Sequence, residues 1–276
     1  MLAFRARRKL AHLWTKFRPI YRVNGAQLPA HADTVGLINW VPNWKSQIID
    51  ESLKRAPGLF IDVGTNVGHT LIDYFASTER SGYLGFEPNP ECVARMIEII
   101  GASDADDCFI IPVGLSNVST VLQLYFDPAR GSDAGATAVG SDLRPANNTK
   151  AMHVAVFQFD DIAPSTIGDR RVSLVKIDVE GAELEVMLGM SETIRTHRPR
   201  ILFEVLNRLP GTESDRIAER NSAVMHFLKS RGYTVNRIEK DSVDGLVTGL
   251  APVDEFPNEE WSVSNKHKCD YLAIAD

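Results

Sequence analysis

Leu59-Phe60-Ile61-Asp62-Val63-Gly64-Thr65-Asn66-Val67-Gly68 decides the fold of this chain. Leu59 to Val63 is a short apolar run with one acidic residue inside it, the pattern of a strand buried on both faces of a parallel sheet. Two glycines four positions apart follow, and then a helical stretch from His69 to Ser77. Glycines at a strand-to-helix turn let the backbone approach a ligand closely. The helix that follows begins with unpaired N–H groups.

A dinucleotide site would spell G-x-G-x-x-G at this turn, making room for a pyrophosphate. Here the stretch reads Gly64-Thr65-Asn66-Val67-Gly68, so the fingerprint is incomplete. Asp62 beside the turn would repel a phosphate and suits an ammonium group instead. A nucleoside with a cationic tail fits better, and S-adenosylmethionine is such a molecule. Gly82 to Phe86 reads as a second strand, ending in Glu87-Pro88-Asn89-Pro90. Glu87 lies 19 residues beyond Gly68, where an acidic residue accepts hydrogen bonds from ribose hydroxyls. The competing reading makes Glu87 a cap for the helix beginning near Pro90.

The chain has 276 residues, enough for one large α/β domain with extensions. Its composition, 44% hydrophobic and 24% charged, is that of a globular protein rather than a disordered one. Cys92, Cys108 and Cys269 have no paired or metal-ligand spacing, which argues against a disulfide framework and suits a reducing compartment; a cytoplasmic location is expected. No apolar run is long enough for a transmembrane segment. The net charge is −6, yet residues 1–22 hold seven Lys/Arg and no acidic residue. The acidic excess thus lies on the remainder, which argues against a nucleic-acid partner.

Leu10, Leu13, Trp14, Phe17 and Tyr21 recur at helical spacing among those basic residues. They suit either a peripheral membrane contact through residues 1–22 or an arm packed on its own domain. Residues 1–45 are therefore expected to be a basic arm and cover segment, and 46–276 the main domain. A helix over 46–55 precedes the first strand. Further strands are read over 108–113, 120–126, 153–159, 172–177, 199–206, 232–238 and 269–275, with helices over 91–100, 182–190 and beyond, and 215–230. Loop insertions are expected near 127–150 and 239–268. Alternating strand and helix predicts a mainly parallel twisted sheet with helices on both faces.

The run Val175-Lys176-Ile177-Asp178-Val179-Glu180-Gly181-Ala182-Glu183-Leu184-Glu185-Val186-Met187 is more specific than the glycine turn. It resembles the signature of the FkbM family of S-adenosylmethionine-dependent methyltransferases. The same resemblance takes in the Asp62–Gly68 turn, Phe86-Glu87-Pro88, Pro112 to Ser116, and Arg198-Pro199 to Glu204-Val205. Gly114 and Thr65 depart from it, since alanine is the expected residue at both. The resemblance implies a Rossmann-like methyltransferase fold with an antiparallel last strand, and methyl transfer to a hydroxyl of a small-molecule, sugar or glycan acceptor. The candidate cofactor set is Asp62, Gly64, Thr65, Asn66, Gly68, Glu87, Pro88, Leu115, Ser116 and Asp178.

A sugar hydroxyl is a poor nucleophile near neutral pH and needs a base or a metal. Asp178 and Glu180 follow one strand and Glu204 ends the next, so these three carboxylates are the candidate catalytic group, with Asp178 foremost. Clustered carboxylates raise one another's pKa, which suits a base; they equally suit Mg²⁺, an oxygen-seeking ion. Lys176, two residues before Asp178, shares its face of the strand and can neutralise it. Glu183 opens a helix, where a structural and a functional role are both open; Glu185 is read as solvated. His69 is placed near cofactor or acceptor. Two other classes stay open at this point, a nicotinamide-dependent oxidoreductase and a non-catalytic nucleoside-binding protein. Oligomeric state is not legible.

Overall fold

The structure is a computed structural model that describes residues 20–24, 26–29, 39–103, 105–126, 150–205, 207, 214–260, 262, 265 and 268–276. The basic stretch before Ile20 and residues 127–149 of the loop expected near 127–150 lie outside the described residues. An eight-stranded sheet runs in the order β12 (Val247–Pro252), β11 (Tyr233–Lys240), β13 (Asp270–Ala275), β10 (Arg200–Glu204), β9 (Val172–Ile177), β3 (Leu59–Val63), β4 (Tyr83–Phe86), β5 (Cys108–Ile111). In its interior is β3 (Leu59–Val63), the strand read first from the sequence, parallel to β4 (Tyr83–Phe86) on one side and β9 (Val172–Ile177) on the other. β5 (Cys108–Ile111) and β10 (Arg200–Glu204) extend the parallel set outward.

The closing strand β13 (Asp270–Ala275) inserts antiparallel between β10 and β11 (Tyr233–Lys240), as the resemblance implied. The stretch 239–268, expected to be a loop insertion, contains a further strand, β12 (Val247–Pro252), antiparallel to β11 at the sheet edge. Its content, Val-Thr-Gly-Leu-Ala-Pro, includes a glycine and a proline and only two branched aliphatic residues, which suits an edge that is only partly buried and hides the strand from a hydrophobicity reading.

Alternation along β3 sends side chains to two cores. Leu59, Ile61 and Val63 join a cluster with Val175, Phe203, Met187 and Phe227, while Phe60 joins Leu53, Ile72, Met96 and Leu174 on the other face. The second face is covered by α1 (Trp44–Arg55), α2 (His69–Phe75) and α3 (Pro90–Ala102). Asn43 begins α1 with a reciprocal cap: its side chain accepts from Lys45 and Ser46 N–H, and the Ser46 hydroxyl accepts from Asn43 N–H. Asn89 caps α3 by accepting from Glu91 N–H at 3.0 Å, with Pro90 at the first helical position.

The first face is covered by α4 (Phe159–Thr166), α5 (Glu183–Gly189), α6 (Ser191–His197) and α7 (Ser214–Lys229). The strand expected to end at Phe159 stops at Phe157, and α4 begins at Phe159, with Asp160 and Asp161 in its first turn. The single helix expected from Ala182 onward is two, parted at Met190. A smaller sheet, β6 (Gly114–Leu115), β8 (Lys150–Phe157) and β7 (Thr120–Phe126), stands beside the main one. Ahead of the main sheet, Asn24, at positive φ, turns β1 (Ile20–Val23) into β2 (Ala26–Pro29).

Residues 39–45, read as the end of an arm, are tied to α2. Asp73 Oδ1 accepts from Trp40 Nε1 at 2.7 Å and from Asn43 Nδ2 at 2.8 Å. Asn24 donates to the Ile72 carbonyl of the same helix at 3.2 Å.

Candidate active site

A cleft of about 390 Å³ opens at the carboxyl ends of β3, β4, β9 and β10, where ligands bind in open parallel sheets. Its floor is the turn after β3. Gly64 has φ +81°, and a Cβ there would lie 1.9 Å from the Asp178 carbonyl, so only glycine lets the loops after β3 and β9 approach this closely. Asn66 also has positive φ, and its side chain accepts from Val67 N–H at 2.6 Å, an arrangement asparagine tolerates better than most residues.

Glu87 joins this turn to the next strand. Its two carboxylate oxygens accept from Asn66 N–H and Asn89 N–H, each at 2.9 Å. Burial pushes its pKa up while those bonds pull it down. Asn89, not Glu87, is the cap of α3.

The smaller sheet supplies an apolar wall of Leu115, Leu124, Val154 and Val156. Sequence reading placed only Leu115 there. The other three reach the cleft through the pairing of β8 with β6 and β7, a relation that local hydrophobicity does not encode.

On the opposite side, Asp178, Glu180 and Glu204 line the cleft together. Glu180 and Gly181 both have positive φ, which turns the chain sharply after β9. That turn is held by Glu183, which accepts from Gly181 N–H at 3.1 Å and Val179 N–H at 3.4 Å. Burial raises the Glu183 carboxyl to about 7. Glu204 faces Asp270 across the antiparallel pair β10–β13. Burial, reinforced by the charges of Asp178, Asp270, Glu180 and Glu183, pushes its pKa well above the ordinary range. Among the described residues no hydrogen bond or ion pair holds the Glu204 carboxyl group.

Lys176 is the main charge that sequence reading assigned only in part. Its ammonium lies 3.2 Å from Asp178 Oδ2, as the shared strand face implied, and also 3.2 Å from Asp62 Oδ1. Asp62 is fully buried and takes a second bond from the Tyr83 hydroxyl at 2.5 Å. It therefore does not line the cleft, and the ammonium it faces is that of Lys176. Gly68 and Ser116 also stay out of the lining: Gly68 begins α2 against Met96, and Ser116 is buried, donating to Asn117 Oδ1 at 3.4 Å. Gly64, Thr65, Asn66, Glu87, Pro88, Leu115, Asp178, Glu180 and Glu204 do come together.

Lys45 and His69 complete the rim. Desolvation by the surrounding walls and the nearby Lys45 charge push the pKa of His69 down although its side chain is exposed at the rim, which favours the neutral imidazole. Glu185, read as solvated, pairs with Arg220, whose guanidinium also donates to the Gly181 carbonyl at 2.7 Å. No group of three His, Cys, Asp or Glu side chains among the described residues is arranged to hold a metal ion, so the geometry does not support the expected Mg²⁺. No helix among them is long and apolar enough to cross a membrane.

A mainly parallel sheet covered on both faces, with an antiparallel strand beside β10 and a cleft at the strand ends, defines a Rossmann-like methyltransferase fold. The chain belongs to the methyltransferase FkbM domain family, whose model matches residues 62–235. It is 28% identical over 137 residues to the hexuronic acid methyltransferase AglP of Haloferax volcanii, across 49% of this chain and 51% of that protein. It is 25% identical over 162 residues to the 2-O-methyltransferase NoeI of Sinorhizobium fredii, across 53% of this chain and 63% of that one. The matched region thus spans less than two thirds of either relative. The crystal structure of an FkbM methyltransferase from Methylobacillus flagellatus aligns over 92% of this chain and 48% of its own, with a TM-score of 0.46 at 13% identity.

Proposed function

We propose that this protein is an S-adenosylmethionine-dependent O-methyltransferase acting on a hydroxyl of a sugar, glycan or secondary metabolite. The observation that carries the reading is Glu87, a carboxylate held by two backbone N–H groups at the rim of a cleft with an apolar wall on one side and the acidic side chains of Asp178, Glu180 and Glu204 on the other. This donor set fits the cofactor. Glu87 would accept from ribose hydroxyls, Leu115, Leu124 and the valines would cover the base, and Asp178 and Glu180 would face the cationic tail. When bound, S-adenosylmethionine supplies a methyl group on a positively charged sulfur.

The chain's own contribution is alignment and removal of a proton. Sequence reading set Asp178 foremost as base. Its Oδ2, however, is engaged by Lys176, whereas no donor among the described residues holds the Glu204 carboxylate, which lines the same cleft. We therefore assign proton acceptance from the acceptor hydroxyl to Glu204, with Asp178 holding the geometry through Lys176. The names of the two curated relatives, one acting on a hexuronic acid and one a 2-O-methyltransferase, support an oxygen acceptor on a sugar.

Titration calorimetry with S-adenosylhomocysteine and with NADH tests the cofactor. Binding of the first and not the second is expected, and the reverse would end the reading. Glu204→Gln tests the base, with labelled methyl transfer followed over a panel of saccharide acceptors. Turnover should fall about 10²–10⁴-fold with S-adenosylhomocysteine affinity little changed. Near-normal turnover would remove Glu204 from that role.

A further inference from the structure

Beside the cleft lies a second hollow of about 370 Å³, between the segment before α1, the start of α2 and the turn linking β11 to β12. Lys45 and His69 line both hollows, so the two meet at one wall. The polar groups of this hollow divide into those already used and those not. Asp73, in its floor, is committed to Trp40 and Asn43, and the Asn43 side-chain oxygen caps α1. Trp40 is half-buried with its ring nitrogen bonded to Asp73, so the indole has only its face left to offer.

Lys45 is different. Among the described residues its ammonium has no carboxylate partner, and its one contact is with the Trp44 ring, 5.5 Å from the centroid. Lys176, by contrast, is shared between two carboxylates, so Lys45 is the cation of the joined hollows that is open to an anion. The acidic groups Asp178, Glu180 and Glu204 line the first hollow only; the second has Asp73, committed as above, and Asp244, an exposed carboxylate in the β11–β12 turn whose charge solvent screens.

We propose that the second hollow seats the methyl acceptor, and that the acceptor is a saccharide bearing a carboxylate, which pairs with Lys45 while the sugar face lies on Trp40. An anion fixed at the join leaves a neighbouring hydroxyl directed into the first hollow, toward Glu204. An indole face takes the C–H surface of a pyranose, and an ammonium takes its carboxylate as a charge-assisted hydrogen bond. His69, uncharged beside them, serves as hydrogen-bond partner to a ring hydroxyl. This inference deepens the methyltransferase reading and rests on it.

The test uses the full chain with S-adenosylhomocysteine present and two probes, methyl α-D-glucuronoside and methyl α-D-glucoside, followed by ligand-observed NMR. The wild type should bind the glucuronoside about tenfold tighter. Lys45→Met should erase that preference, and Lys45→Arg, which keeps the charge, should retain it. Equal affinity for the two probes in the wild type, or a preference that survives in Lys45→Met, would overturn the proposal. So would a Lys45→Met variant that no longer binds S-adenosylhomocysteine while keeping its fold by circular dichroism, since Lys45 would then serve the cofactor. Failure of the wild type to bind S-adenosylhomocysteine at all would strike the methyltransferase reading itself, and this inference with it.

Discussion

The Lys176 ammonium on β9 lies 3.2 Å from the Asp62 carboxylate on β3, and the two residues occupy paired positions of adjacent parallel strands. Both are essentially inaccessible to solvent, and the pair sits directly beneath the cleft. Burying a lone carboxylate is costly, so the pair is kept or lost as a unit. Burial already pushes the Asp62 pKa up, against the pull of Lys176 and Tyr83.

Replacing one partner should expose that cost. Lys176→Met is expected to destabilise the fold by about 3–5 kcal/mol at pH 8, where Asp62 would be left charged and unpaired. At pH 5 the variant can protonate Asp62, so the loss should be smaller. Urea unfolding at both pH values measures the difference. An equal loss at the two would mean that Asp62's charge is not what Lys176 serves.

The close approach of the two loops gives a second test. Gly64→Ala forces φ +81° on a residue with a side chain and places its Cβ 1.9 Å from the Asp178 carbonyl. A loss of at least about 1–3 kcal/mol is expected from the strain, together with weaker S-adenosylhomocysteine binding. Gly101→Ala is the contrast. It lies in α3 with nothing within 4 Å of the added methyl, and should stabilise the protein by about 0.5–1 kcal/mol. Thermal melts of the two variants should move in opposite directions.

Glu87 separates binding from scaffolding. Glu87→Ala removes the acceptor of two backbone N–H groups as well as any bond to a ribose, and should weaken S-adenosylhomocysteine binding by about 1–3 kcal/mol. Glu87→Gln keeps one oxygen and should lose less. Calorimetry that finds unchanged affinity in the alanine variant, with the fold intact, would take Glu87 out of the binding site.

Glu183 predicts a pH effect on stability. Its carboxyl is raised from 4.5 to about 7 in the folded protein. The native state therefore holds this proton more tightly than the unfolded chain does. That contribution is fully present below about 4.5 and is lost as pH rises through about 7. Glu183→Gln keeps an oxygen to accept from Gly181 and Val179 N–H and removes the charge. Relative to wild type it should be neutral at pH 4 and stabilising at pH 8 by up to about 3 kcal/mol. Denaturant melts that show no change in the difference between those pH values would contradict the shift.

What the sequence determined by itself was local. The apolar run Leu59–Val63, the glycines after it and the helix from His69 follow from composition and spacing within a few residues. So do the carboxylates at strand ends, Glu87, Asp178 and Glu204, because a strand that reads as buried must finish where its polar residues begin. The side chains that complete the site were settled by register between distant segments. Asp62 and Lys176 are 114 residues apart, and only the pairing of β3 with β9 turns an apparent ligand into a buried ion pair. Leu124, Val154 and Val156 become a cleft wall through the smaller sheet, and Lys45 reaches the rim because Asp73 anchors the segment before α1. Local pattern fixes which face of a strand is apolar, but which groups meet across that face depends on the tertiary pairing that buries them together.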